Sequence, residues 1–358
     1  MENISKIDPR LAIVDCTEPD AVWHAVSEPP FALHGVFFEA ESDRYVRMPG
    51  SVAAEASRSV LGLSRMTSGG RLRFATDSPY VALRALIPAY MPMPHMPLTG
   101  SHSFVFFVDG AYRGGKVTPT PTALFEAKGE KVAISGVCRL PGGMHEIEVY
   151  FPLYGGVHSV EIGLAPGAVL NPPRPYQRKK PIVFYGSSIT QGACASRAGN
   201  DATAFLCRWL DSDYLNLGFS GNGNAEPAML AYLAGLDAGA YVFDYNYYPS
   251  AHPDRVLPPH YDIYRCLRDA HPDVPILMID KPGCSGGYPE RREMIESTLR
   301  CAIAEGDRAV AAIDAHDFFG ERDRDACLVD SDHPNDLGFY RMAEVMYRTL
   351  APLLGITD

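Results

Sequence analysis

Residues 183–192 read V-F-Y-G-S-S-I-T-Q-G, and the fold can be argued outward from this stretch. Residues 181–185 form an apolar run rich in β-forming side chains, bounded by a proline and a glycine, which predicts a buried parallel strand. Gly186, Ser187 and Ser188 follow at its carboxyl end. Ligands bind at this edge of open α/β sheets, because the loops there frame a crevice and the next helix offers free N–H groups. One serine here is therefore a candidate nucleophile.

Strand-like and helical patterns alternate in the second half of the chain. The apolar runs are 181–185, 214–217, 240–243, 275–279 and 309–313, and the helical patterns cover 202–210, 225–236, 259–270, 288–305 and 335–354. Five βα units in succession are typical of a parallel sheet covered by helices on both faces. We therefore predict a five-stranded, flavodoxin-like α/β domain over residues 181–358.

Short alternating or β-branched runs, separated by turn residues, dominate from residue 21 to about residue 166. Their spacing favours an antiparallel β-sandwich. Asp109-Gly110 is a hairpin turn signal between two such runs, and residues 51–57 suit one short helix. The proline-rich stretch 171–175 predicts a stiff connection. The expected domains are a sandwich over 1–170, a linker over 171–180 and the α/β domain from 181.

A serine hydroxyl needs a base to accept its proton and a third group to orient that base. Near the end of the chain, Asp330 and His333 are three residues apart, so both side chains can lie on one side of a single turn. Ser188 could instead cap the following helix. His316 and Asp317 are a rival pair, but adjacent side chains usually point apart.

Four blocks of the second half resemble those of the SGNH (GDSL-type) hydrolases. They are G-S-S-I-T-Q-G at 186–192, N-L-G-F-S-G-N-G at 216–223, an Asn after the third strand, and D-x-x-H at 330–333. The resemblance implies Ser188 as nucleophile, His333 as base and Asp330 as the acid that orients it. It also implies an oxyanion hole built from the Ser188 N–H, the Gly221 N–H and the side chain of Asn246, with Asn222 and Asn224 as competitors for the last role.

The chain departs from the family pattern at two places. Ser187 stands where the family usually has Asp, next to the nucleophile. The usual Gly-x-Asn-Asp of the third block reads Asp244-Tyr245-Asn246-Tyr247 here and keeps only the Asn. No Gly follows Ser188 by two residues, so the chain also lacks the nucleophile-elbow motif of a different family, the α/β-hydrolases.

The first half resembles the β-sandwich that precedes the catalytic domain in a subset of SGNH hydrolases. The matching stretches are 45–50, 76–80 and 94–100, and the Gly-x-Asp-Leu-Tyr signature of that sandwich is reduced to residues 103–107 here. This module looks like a sugar-binding domain. In related two-domain enzymes it lies against the catalytic domain, so the Met- and Pro-rich loop 93–97 is a candidate wall of the substrate pocket.

Composition limits the partners and the compartment. The formal net charge of −11 argues against a nucleic-acid or anionic-membrane partner, which would need a basic face. Residues 1–15 carry charges throughout, and no apolar run is long enough for a secretion signal or for a span across a bilayer, so we expect a cytoplasmic protein.

Eight dispersed cysteines, none in a C-x-x-C pair, indicate neither a disulfide framework nor a zinc site. The resemblance is compatible with a homo-oligomer, but no stretch specifies a symmetry.

An SGNH domain fused to a sandwich resembles the carbohydrate esterases that remove acetyl groups from sugars or oligosaccharides. The resemblance implies a serine esterase that hydrolyses small acyl esters, acetyl above all, of a carbohydrate, with a small-molecule or oligosaccharide ester as substrate. No metal or organic cofactor is expected, because a base alone activates the serine. An acyltransferase using the same acyl-enzyme and a non-catalytic carbohydrate-binding protein are the alternatives. Lys281, directly after the fourth strand, either binds a substrate carboxylate or pairs with Asp280, and we favour the pairing.

Overall fold

The structure is a computed structural model, and it describes residues 16–90, 93–245, 259–283 and 289–356. The first half forms two packed antiparallel sheets and a two-stranded ribbon. One sheet has the strand order β1-β11-β6-β9, the other has β12-β5-β10-β7-β8 with β2 also paired to β5, and β3 pairs with β4. The strands are β1 (Val22–Ala25), β2 (Ala32–His34), β3 (Phe37–Glu39), β4 (Arg44–Val46), β5 (Arg71–Thr76), β6 (Tyr80–Pro88), β7 (Phe104–Val108), β8 (Ala111–Val117), β9 (Lys131–Arg139), β10 (His145–Tyr150), β11 (Ser159–Leu164) and β12 (Leu170–Asn171).

Apolar side chains between the two sheets, among them Leu72, Leu83, Phe106 and Ile162, form a common core, which confirms the predicted sandwich. The predicted hairpin turn is also present. Asp109 and Gly110 both have positive φ, 51° and 78°, as a two-residue turn between right-twisted strands requires. Helices of this half are α1 (Gly50–Ala56), α2 (Arg58–Ser64), α3 (Leu98–Ser101) and α4 (Pro121–Glu126), with a 3₁₀ turn at Ala40–Ser42.

The second half contains the predicted five-stranded parallel sheet. Its strands are β13 (Arg178–Gly186), β14 (Ser212–Gly218), β15 (Ala240–Phe243), β16 (Ile276–Ile279) and β17 (Val310–Ile313), in the order β14-β13-β15-β16-β17. The helices are α5 (Ser188–Gln191), α6 (Ala202–Trp209), α7 (Pro227–Ala234), α8 (His260–Ala270), α9 (Pro289–Ala304), α10 (Ala315–Phe319) and α11 (Asp336–Leu353), with a 3₁₀ turn at Asp325–Cys327.

The sheet is covered on both faces, which explains the continuous apolar sequence of its strands. Along β13, Ile182 and Phe184 face the core formed with α6 and α11, whereas Val183 and Tyr185 face the core formed with α7, α8 and α9. Strand β13 begins at Arg178, earlier than its apolar run suggested, so the last three residues of the predicted linker belong to the sheet. No helix among the described residues combines the length and the apolar character needed to cross a membrane.

The sandwich and the parallel sheet share one hydrophobic core. Met96, Phe107 and Leu153 of the first half are buried together with Ile189 and Ala193 of the second. Gly100 lies so close to the 192–197 loop that a Cβ at this position would be 2.0 Å from the Ala195 carbonyl oxygen. The carboxyl edge of the parallel sheet is therefore closed on one side by the sandwich.

Candidate active site

Ser188 lies at the carboxyl end of β13, as its sequence predicts. Ser187, and not Ser188, caps the next helix: its Oγ accepts a hydrogen bond of 3.2 Å from the Ile189 N–H. Ser188 is the first helical residue, and its hydroxyl lies 2.9 Å from Nε2 of His333. The capping role weighed for Ser188 thus belongs to its neighbour, and the Ser188 hydroxyl is left to interact with the histidine.

His333 and Asp330 occupy one turn just before the last helix. Nδ1 of His333 lies 2.9 Å from an Asp330 carboxylate oxygen, and the His333 backbone N–H donates to the other oxygen at 2.7 Å. Asn335 caps α11 by accepting hydrogen bonds from two helical N–H groups. The three-residue spacing therefore places carboxylate, imidazole and serine hydroxyl in one hydrogen-bonded row.

The carboxylate of Asp330 is held in its charged form. Partial burial raises the pKa of Asp330, but the N–H groups of His333 and Asp332 together with the His333 side chain outweigh burial and lower the pKa to about 2. An acceptor that stays ionised fixes the Nδ1–H tautomer of His333, which directs the Nε2 lone pair toward Ser188.

Two backbone donors near Ser188 are available to a ligand. Within the described part of the chain, neither the Ser188 N–H nor the Gly221 N–H donates to a protein acceptor. Gly221 has φ 64°, a conformation that favours glycine. Its loop is held by Gln191, whose Oε1 accepts the Ser220 N–H at 3.0 Å. These are the two backbone groups that the family resemblance implied for an oxyanion hole.

The third member of that predicted hole, Asn246, lies outside the described residues. Of its competitors, Asn222 donates its side-chain amide to the Ser220 carbonyl at 2.7 Å. Asn224 is buried, and its Oδ1 has no partner among the residues that the structure describes. The assignment of Asn246 stays a prediction.

A buried ionic network lies beneath the nucleophile and involves Ser187, the residue that departs from the family pattern. The Ser187 hydroxyl donates to Asp244 at 2.5 Å, and Asp244 in turn pairs with Arg291 at 3.0 Å. Arg291 also pairs with Asp280 at 2.9 Å. All of these side chains are almost completely buried. Ser187 is thus suited to donate a hydrogen bond to the Asp244 carboxylate. The Asp that the family usually has at this position would instead be repelled by Asp244.

The predicted pairing of Lys281 with Asp280 is wrong for the side chains. Among the described contacts, the Lys281 backbone N–H donates to Asp280, while the Lys281 ammonium lies 3.4 Å from Asp332. Arg291 reaches Asp280 from α9 instead, because adjacent residues at a strand end point their side chains apart. This tertiary contact leaves no signal in the local sequence.

His95 and Arg47 are two of the sandwich side chains that contact the catalytic half. The His95 ring lies 5.7 Å from the His333 ring, centroid to centroid, so the 93–97 loop does border the site. Arg47 is fully buried and donates to the carbonyl oxygens of Asn216 and Gly218 at 2.8 and 2.7 Å, at the end of β14 that leads to Gly221. Only a fold in which both halves meet brings these residues to the site.

Asp336 and the rival pair, His316 and Asp317, have other roles in the structure. Asp336 accepts hydrogen bonds from Ser196 and Asn200 and so anchors the 192–200 loop. His316 and Asp317 form part of α10, where the Asp314 side chain caps the helix. His333 is therefore the histidine that reaches the candidate nucleophile.

Comparison with protein-family models gave two matches that together span most of the chain. Residues 179–351 match the GDSL-like lipase/acylhydrolase family, and residues 21–170 match the N-terminal domain of SGNH-hydrolase-type esterases. The chain belongs to the SGNH (GDSL-like) acylhydrolases. By family it is thus an acylhydrolase-type protein, and it combines the two domains that the sequence motifs indicated.

Several solved structures share the fold of this SGNH protein over nearly its whole length. A Bacteroides ovatus protein described as a GDSL-like lipase is 27% identical, with a TM-score of 0.78, covering 94% of this chain and 99% of that one. A salicylyl-acyltransferase from a tetracycline biosynthetic pathway is 21% identical (TM-score 0.74; 94% and 98% covered). A family two carbohydrate esterase from Clostridium thermocellum, in complex with cellohexaose, is 15% identical (TM-score 0.56; 91% and 99% covered). A comparison with curated proteins found no match.

Proposed function

We propose that this SGNH protein is a serine esterase that removes small acyl groups, acetyl above all, from a carbohydrate. The observation that carries the proposal is the hydrogen-bonded row from Asp330 through His333 to Ser188, with both links at 2.9 Å. In this proposal Ser188 is the nucleophile, His333 the general base and Asp330 the group that orients the imidazole and stabilises its protonated form.

The reaction would proceed in two halves. Ser188 Oγ attacks the ester carbonyl carbon while its proton passes to Nε2 of His333, and the oxyanion accepts hydrogen bonds from the Ser188 and Gly221 N–H groups. His333 then returns the proton to the departing alcohol, leaving an acyl-serine. Water repeats the sequence and releases the acid. Donors aimed at charge that develops only in the transition state are worth roughly 3 kcal/mol each.

Two observations support a small acyl group and a sugar alcohol. Ser188 is only 9% exposed and the His95 ring lies 5.7 Å from the His333 ring, which favours a small acyl group beside the nucleophile. Two proteins of the same fold are described as a carbohydrate esterase in complex with cellohexaose and as an acetyl xylan esterase from Butyrivibrio proteoclasticus. We therefore propose oligosaccharide esters as the substrate class to be tested.

The acyltransferase is the second candidate, because a salicylyl-acyltransferase shares the fold over 94% of this chain. The two activities share the acyl-enzyme and differ in what captures it. A transferase must exclude water while a second alcohol is bound.

The test is release of p-nitrophenol from acetyl to octanoyl esters, with wild type beside Ser188→Ala. We expect the rate to peak at acetyl and to fall by roughly 10⁴- to 10⁶-fold in kcat in the variant. Acetylated oligosaccharides then test the alcohol, and mass analysis with an added sugar acceptor separates free acetate from transferred acetyl. Activity that survives in Ser188→Ala would refute the nucleophile. An activity seen only with an acceptor would favour the transferase.

A further inference from the structure

Three side chains with metal-binding atoms meet beside the candidate nucleophile. His95, Cys194 and His333 each offer one such atom, and these atoms lie within 4.8 Å of one another. His95 comes from the sandwich, Cys194 from the loop after α5, and His333 from the loop before α11. The three positions are far apart in sequence, so no motif spacing could indicate a site.

The loops that carry this cluster are held in place from two sides. Thr99 donates its hydroxyl to the Ser196 carbonyl at 2.6 Å, which ties the sandwich to the loop that contains Cys194. Asp336, at the start of α11, accepts the Ser196 N–H at 2.7 Å. The cluster thus lies where three segments are held together by hydrogen bonds and by the shared hydrophobic core, and not on free surface loops.

Cys194 lies beside the triad in an uncommon backbone conformation. It is a buried free cysteine, and it adopts φ 72°, which few residues with a Cβ adopt. A cysteine sulfur gives up its proton when it binds a cation.

His333 is already oriented as a metal ligand would be. Asp330 accepts from its Nδ1, and metal-bound histidines commonly have one ring nitrogen held by a carboxylate while the other faces the ion. Imidazole and thiolate together favour a borderline-soft cation such as Zn²⁺. Ideal zinc–ligand lengths put ligand atoms about 3.5 Å apart, so the cluster needs to contract by about 1 Å, within reach of a rotation of the partly exposed His95 ring.

We propose that His95, Cys194 and His333 form a Zn²⁺ site whose occupation switches the enzyme off. On binding, the Cys194 S–H bond breaks, its proton goes to the solvent, and bonds form from Zn²⁺ to the sulfur and to one nitrogen of each histidine. The Ser188 hydroxyl, 2.9 Å from Nε2 of His333, or a water takes the fourth position. The bound ion occupies the lone pair that would accept the serine proton.

Binding itself does not rest on the proposed function, whereas inhibition does, so the two are measured separately. Calorimetric titration of the full-length protein with ZnCl₂ tests the site. We expect one Zn²⁺ per chain in the wild type, and an affinity lower by at least about tenfold in His95→Ala and in Cys194→Ser. The matched control is Cys138→Ser, which changes another buried free cysteine, in the sandwich, and should leave the affinity unchanged.

Cobalt offers an independent readout of the sulfur ligand. Co²⁺ in the site should give the thiolate-to-metal charge-transfer absorption of a cysteine-bound ion in the wild type and in Cys138→Ser, and should lose it in Cys194→Ser. Absence of stoichiometric Zn²⁺ binding in the wild type, or equal affinities in Cys194→Ser and Cys138→Ser, would overturn the site.

Inhibition is then read from p-nitrophenyl acetate hydrolysis, each protein being compared with its own zinc-free rate. We expect Zn²⁺ to inhibit the wild type, EDTA to restore the rate, and the half-inhibiting concentration to rise at least about tenfold in Cys194→Ser. Stoichiometric binding that leaves the rate unchanged would overturn the switch and leave the site standing. A zinc-free wild type that does not hydrolyse esters would count against the proposed function, and calorimetry would still decide the site.

Discussion

Buried arginines lie at both ends of the parallel sheet, and they are used differently. At the amino end, Arg71 of the sandwich pairs with Asp213 at 2.5 Å and lies 3.6 Å from the centre of the Tyr214 ring. At the carboxyl end, Arg291 bridges Asp244 and Asp280 within one domain. The first arginine joins the two halves, while the second lies under the candidate nucleophile.

The two ends also differ in which polar groups lack a partner. Arg71 uses its donors on Gly69, Tyr176, Asp213 and Tyr214, although the buried Tyr214 hydroxyl beside it has no partner among the described residues. At the carboxyl end, by contrast, the described residues leave one oxygen of Asp280 and the Ser188 and Gly221 N–H groups without partners. Backbone N–H groups without a protein acceptor beside a candidate nucleophile are expected where a ligand completes them, whereas Arg71 at the amino end finds its partners within the fold.

The largest effect is expected from the base itself. Replacing His333 by Gln should lower kcat by roughly 10⁴- to 10⁶-fold, because no other group then accepts the serine proton. Steady-state ester hydrolysis measures this. His316→Gln is the matched control, and its kcat should stay within about twofold of wild type. A comparable loss in both variants would contradict the assignment.

The two arginines test the comparison directly. Arg291→Met removes the arginine from two buried carboxylates and should lower the free energy of unfolding by about 3 to 5 kcal/mol in denaturant titrations. Arg71→Met should lower it less, because Asp213 is only partly buried and keeps His34 at 2.8 Å. Only Arg291→Met should also lower kcat at a temperature where both variants remain folded, because Asp244 holds the residue next to the nucleophile. Equal kcat values in the two variants would show that the carboxyl-end network is structural only.

Gly221→Ala should lower kcat by roughly 10²-fold, because the left-handed backbone that presents its N–H is strained in alanine. The control is Gly110→Ala in the sandwich hairpin. Gly110 also has positive φ, and a Cβ at either glycine meets no atom within 4 Å, so the backbone strain is matched. Kinetics and unfolding are measured on both variants; a loss of kcat in neither would remove Gly221 from the oxyanion hole.

The smallest effect concerns pH. The pKa of Asp330 is about 2 in the folded chain, below its ordinary 3.8, so an unfolded chain binds the proton more readily. The carboxylate therefore contributes stability above about pH 4, and this contribution is lost as the pH falls through 2. Wild type and Asp330→Asn should differ in unfolding midpoint at pH 6 and converge near pH 2. A difference independent of pH would contradict this.

Sequence patterns predicted much of this molecule where the signal is local. The Asp330 and His333 spacing, the serine after an apolar strand and the Asp109-Gly110 turn each depend on a few consecutive residues, and the structure shows the expected geometry at all three. Contacts between residues far apart in the chain could not be predicted from the sequence. His95 approaches His333 across domains, and Arg291 takes the partner assigned to Lys281, because neither contact follows from chain proximity.

The close approach of Gly100 to Ala195 limits how the two halves of the chain can be exchanged for those of a relative. Because the core is continuous across this contact, neither half is an exchangeable part. A sandwich taken from another member of the family would place different residues beside Ser188. Exchanging the sandwich should therefore require residues 93–101 and 192–197 to be exchanged together, because these two segments pack against each other.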